Sequence, residues 1–217
     1  MVIGKIVKSD SHINYICQIY APGEVQQVPR PADYAFGQFV RARVRTHDDH
    51  ARDSGAQPGR ETWAVGVIYD TILLNPTFGT LGPRLSNDVQ IEMFSPDYLA
   101  ERAVLVYLLV LGLINADGTI RHGIPPVALE LGCEVETLSP PEVRQFHYFA
   151  DHGTPGGQRP YLHMGYLPHM LAQRNILLPM VTLRIIDQLE TLFPKHQALL
   201  SIVKQNFSWR LKVEAAG

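Results

Sequence analysis

The sequence predicts an α+β protein: a small N-terminal β-barrel over residues 1–90, then an α-helical domain over residues 91–217. Three observations carry this expectation. Short apolar runs with β-branched and aromatic residues, separated by turn residues, fill the first eighty-odd positions. These strands do not alternate with helical segments, which argues against a parallel doubly wound sheet. From Ser95 onward, helix starts and near-helical apolar spacing replace the strand pattern.

The first strand gathers Val2, Ile3, Ile6 and Val7 around Gly4 and Lys5. The second, Asn14 to Tyr20, alternates and is broken by the turn residues Ala21-Pro22-Gly23-Glu24. A third runs from Phe36 to Val44 and places Phe39, Arg41, Arg43 and Arg45 on one face. Thr46 to Glu61 is polar, contains Gly and Pro and has no periodicity, so it reads as a long exposed loop. Trp63 to Leu74 is the most apolar strand of this half. After it, Gly79, Gly82, Pro83 and Arg84 read as a turn leaving the barrel rather than an anion cradle, because Pro76 and Pro83 remove backbone donors.

In the second half, Ser95-Pro96-Asp97 has the form of a helix start, with a long helix expected through Leu99 to Asn115. Its stretch Ala103 to Ile114 is apolar all round and would lie at the centre of the helical domain. Ser139-Pro140-Pro141-Glu142 has capping-box spacing and opens a helix expected to reach Asp151. Helices are further expected over Tyr161 to Asn175, Met180 to Phe193 and Lys195 to Asn206, with Gly153 to Pro160 as a linker.

Ile3-Gly4-Lys5-Ile6-Val7, Gly37-Gln38-Phe39-Val40 and Val65-Gly66-Val67-Ile68 together resemble the HAS-barrel, over residues 1–85. That barrel is shared by HerA-type DNA-translocating ATPases and the ATP synthase α and β subunits. The resemblance implies a role in assembly and partner docking, with an ATPase or nuclease as the partner. It does not extend to a motor. The sequence contains no Gly-Lys-Ser or Gly-Lys-Thr phosphate loop, and its Gly4-Lys5 pair lies on a strand and is followed by Ile6. Asp70, at the end of an apolar strand, therefore has no phosphate loop to serve.

Composition narrows the chemistry further. Net charge is -2, which provides no global attraction to nucleic acid. Cys17 and Cys133 are far apart in apolar surroundings and read as buried free thiols in a reducing compartment. The N-terminus lacks the apolar segment of a secretory signal, and the longest apolar run is too short to span a bilayer. The expectation is a cytoplasmic protein with no membrane association and no cofactor.

Three functions follow. The first is a non-catalytic interaction module with a protein partner, self-assembly being one form of it. The second is a metal-dependent hydrolase with His147, Asp151, His152 and His163 as ligands, since imidazoles and carboxylates gather in that stretch. Neither HExxH nor HxH occurs to sharpen it, and His47-Asp48-Asp49-His50 reads as a solvated loop. The third is nucleic-acid binding by Arg41, Arg43 and Arg45, whose alternate spacing projects three guanidinium groups from one strand face. No catalytic motif is present.

Overall fold

The computed structural model describes residues 1–44, 61–74, 103–149 and 161–214. Its centre is a closed antiparallel barrel of six strands. These are β1 (Val2–Ser9), β2 (Asn14–Ile19), β3 (Phe39–Val44), β4 (Thr62–Leu74), β5 (Ala103–Ile114) and β7 (Glu134–Thr137), with β6 (Ile120–His122) outside the ring. Around the barrel the order is β2-β1-β7-β3-β4-β5, and β5 pairs back to β2. Four strands come from the segment expected to form a barrel. The other two, β5 and β7, lie beyond residue 90, so the expected division at that point is corrected: the barrel is not complete until residue 137.

The segment Ala103–Ile114 is the largest revision. It is a strand, not the central helix expected from its unbroken apolarity. A strand buried on both faces loses the polar alternation that marks a half-exposed one, and the remaining signal resembles a buried helix. Its sequence AVLVYLLVLGLI includes four β-branched residues and a tyrosine that suit a pleated surface. One edge of β5 pairs along β4 from Trp63↔Ile114 to Leu74↔Ala103. Its other edge serves β2 between Gln18↔Leu105 and Asn14↔Leu109, then passes to β6 at Gly112↔His122. A side chain at Gly112 would strike the Arg121 carbonyl oxygen and lie 3.0 Å from the His122 Cα.

The helices follow the barrel. Helix α1 (Pro140–Phe146) starts where its capping box predicts: the Ser139 amide donates to Glu142 Oε2 at 2.7 Å, and the Ser139 hydroxyl donates at 2.6 Å. It stops at Phe146 rather than Asp151, because Tyr148–Phe149 (β8) pairs with Tyr161–Leu162 (β9). That pairing also replaces the start of the helix expected over Tyr161 to Asn175. What remains there is the short α2 (Leu167–Leu171), with Pro in its first turn. Helix α3 (Leu178–Leu192) buries Leu178, Val181, Thr182, Ile185, Ile186 and Leu189, a stripe of helical period. Helix α4 (Gln197–Glu214) extends past the expected Asn206.

Barrel and helical side chains form one continuous core: Ile3, Phe39, Val67 and Leu109 belong to the same cluster as Phe146, Met170, Ile185 and Leu189. Burial of this kind stabilises by about 25 cal/mol per Å² of apolar surface. Cys17 and Cys133 are free and buried, and burial pushes the Cys17 thiol up to about 12. Among the described residues no helix is long and apolar enough to cross a membrane.

Candidate functional site

Histidines and aromatic rings converge where β6, the end of α1, β9 and the start of α2 meet. His147 is fully buried. Its Nδ1 lies 2.7 Å from the Val143 carbonyl oxygen, which only accepts, so Nδ1 carries the proton. Burial lowers His147 to about 3 and keeps it neutral. Its Nε2 therefore accepts from the Tyr166 hydroxyl at 2.8 Å. Tyr166 is itself fully buried, which raises its hydroxyl well above the ordinary value.

His122 adopts the opposite tautomer. Its Nε2 donates to the Phe146 carbonyl at 2.9 Å, and its Nδ1 accepts the Gly165 amide at 3.0 Å. Burial lowers it to about 4. The His163 ring stacks on His122 with centroids 4.8 Å apart and planes inclined by 14°. Phe149 packs against the same ring at 4.5 Å. Gly165 permits this stack, because a side chain there would collide with the His163 ring and reach within 3.3 Å of the His122 Cβ. The Nδ1 of His163 is buried and has no hydrogen-bond partner among the described residues.

This arrangement describes two of the four expected metal ligands, His147 and His163. A ligand histidine offers one nitrogen lone pair to the metal, and both nitrogens of His147 are engaged within the protein. Asp151 and His152 lie outside the described residues. Of the two candidates among the described residues, His163 shows an unengaged nitrogen. Among the described residues no three His, Cys, Asp or Glu side chains are grouped closely enough to hold a metal ion. His122 and Tyr166 were not candidates in the sequence. Nothing local marks them, since β5–β6 pairing and β8–β9 pairing bring them to His147. The cluster is a hydrogen-bonded clasp joining the barrel wall to the helices, and His169 adds a bond from its Nε2 to the Val110 carbonyl at 3.0 Å.

Two arginines of the expected stripe, Arg41 and Arg43, have partners within the chain. Arg41 Nε and Nη2 both donate to Glu136 Oε2, at 3.0 and 2.8 Å, and Nη1 donates to Glu142 Oε1 at 2.7 Å. Its guanidinium also lies 4.5 Å from the centre of the Trp63 ring. Two carboxylates and an aromatic face leave Arg41 no free charge to offer a phosphate. Burial tends to raise the Glu142 carboxyl, but the Ser139 bonds and Arg41 bring it below its ordinary value. Arg43 pairs with Glu61 at 3.1 Å, and Arg45 lies outside the described residues. Lys8 pairs with Asp10 at 2.6 Å. The loop containing His47 and His50, and the turn around Gly79 and Gly82, also lie outside the described residues.

Apolar surface, by contrast, is left open at one rim of the barrel. The β4–β5 ladder continues to Leu74↔Ala103, whereas β2 accompanies β5 only as far as Gln18↔Leu105. The projecting ribbon exposes Ile72, Leu73 and Leu74, with Leu73 74% exposed. Beside it, Tyr20, Pro22, Val28 and Tyr34 join Leu73 and Leu74 in lining a groove of about 560 Å³.

A family model matches residues 1–216, spanning barrel and helices as one sequence unit, and its description is a domain of unknown function. No curated protein matches the chain.

Proposed function

Because the chain belongs to the family described as Domain of unknown function (DUF8166), we propose a role from its geometry: a non-catalytic docking module that receives a protein partner in the groove beside the β4–β5 ribbon. The observation that carries this reading is the exposed apolar rim of Ile72, Leu73 and Leu74 over that groove. Contiguous apolar surface rimmed by polar residues is characteristic of interaction sites. The partner's contribution is an apolar segment, because the groove is walled by tyrosine, proline and leucine side chains.

The resemblance of the β1, β3 and β4 sequences to the HAS-barrel supports a partner of the translocating-ATPase or nuclease class. The hydrolase reading is less well supported: the unpaired His163 Nδ1 favours it, but His147 is committed elsewhere. The nucleic-acid reading loses support from the neutralised Arg41 and Arg43.

The test is affinity capture from the native host with the wild-type chain and with the Leu73→Asp/Leu74→Asp variant, followed by mass spectrometry. An ATPase or nuclease retained by wild type and lost by the variant is the expected result. Identical capture by both chains, with the variant folded, would reject the groove as the docking surface.

A further inference from the structure

The groove beside the β4–β5 ribbon is not uniformly apolar. The ribbon contributes Leu73, Leu74 and Val104, and the chain leaving β2 contributes Tyr20, Pro22 and Glu24. Glu24 is the one charged residue that lines it among the described residues. A closed turn fixes this carboxylate in place. The Glu24 amide donates to the Ala21 carbonyl at 3.2 Å, and the Ala21 amide donates to Glu24 Oε2 at 2.7 Å. Gly23 supplies the left-handed backbone of the turn, at φ 94°.

The neighbouring charges leave that of Glu24 uncompensated. Lys5 lies opposite Glu134 in the β1–β7 pairing and offsets its charge, with the ammonium 5.8 Å from the centre of the Tyr20 ring. Arg30 is matched by Asp33 at 3.7 Å. Glu24 is exposed and forms no ion pair among the described residues. Burial raises the Tyr20 hydroxyl above its ordinary value, and the Glu134 and Glu24 carboxylates raise it further, so the free charge acts beside an aromatic ring of the groove.

We propose that the segment received by the groove carries an arginine or lysine next to its apolar residues, with the apolar side chains covering Leu73 and Leu74 and the cation meeting Glu24 beside Tyr20. This inference rests on the docking role proposed above and adds the chemistry that selects the partner. Charge complementarity identifies the occupant. A cation gains the attraction of an unpaired carboxylate and of a tyrosine face, whereas an acidic segment is repelled. The carboxylate is ordered before binding, so little freedom is lost when the cation arrives. A volume of about 560 Å³ takes a short segment rather than a folded domain.

The test pans a random peptide library displayed on phage against the full wild-type chain. Binders to the uncharged variant Leu73→Ser/Leu74→Ser are removed first. The enriched peptides are expected to combine apolar residues with arginine or lysine. Synthetic copies are expected to bind Glu24→Gln about two- to fivefold more weakly than wild type. That variant keeps an acceptor for the Ala21 amide, so the turn is retained. Added salt is expected to weaken binding to wild type and to have less effect on Glu24→Gln. Enriched peptides without an excess of basic residues, or with equal affinity for Glu24→Gln, would overturn this inference and leave the docking role standing. A library with no peptide that separates wild type from the serine variant would overturn the docking role and this inference with it.

Discussion

His122 and His147 are neutral in the folded chain, held at about 4 and about 3 by burial. Unfolding returns both to the ordinary histidine value of about 6.5. Their folded values are depressed, so their contribution to stability is complete above about pH 6.5. It declines as pH falls towards their folded values, because the unfolded chain takes up protons that the folded chain resists. Each unit of depression corresponds to about 1.4 kcal/mol. The melting temperature by circular dichroism is therefore expected to be flat from about pH 7.5 to 6.5 and to fall steeply between about pH 6 and 4. A His147→Gln variant should show a shallower fall, and a wild-type curve that stays flat to about pH 4 would contradict this assignment. At this scale the sequence was legible where the interaction is local. Ser139 and Glu142 are three apart, and their capping box forms as the spacing implies. Arg41 was legible as a strand-face residue, but the carboxylates that neutralise it lie 95 and 101 positions away and left no local trace.

At the scale of elements, β1 to β4 were readable because each is half-exposed or bounded by turn residues, so alternation and punctuation survive. β5 was not, for the reason that makes it central. It pairs with β4, β2 and β6, and Val106 and the run Leu108 to Leu111 are buried whichever way they alternate, so polar residues are excluded from both faces. Helix α3 was readable because one face remains polar and the apolar stripe keeps its period. α2 was mistaken for part of a longer helix because Tyr161 and Leu162 pair with β8 instead. Amide hydrogen exchange gives β5 a direct test. Its amides between residues 105 and 113 are expected to exchange only through global unfolding, as the most protected in the chain. Protection there that follows a helical end-fraying pattern, or that is lost well before that of β3 and β4, would contradict its position in the barrel.

At the scale of the whole molecule, strands from both ends of residues 2–137 close a single barrel, and helices from residues 140–214 share its core. The family match over residues 1–216 has the same extent. The α+β class was legible, but the expected division at residue 90 was not, because it rested on the misread β5. Without β5 and β7, strands β2, β4, β1 and β3 each lose a neighbour, and the core facing them is opened to water. The most direct measurement is therefore the two-dimensional amide NMR spectrum of a fragment comprising residues 1–90, compared with that of the full chain. Collapsed, unfolded-type dispersion in the fragment, with cooperative melting only in the full chain, is the predicted result; a dispersed spectrum and a sharp melting transition in the fragment alone would contradict the single closed barrel.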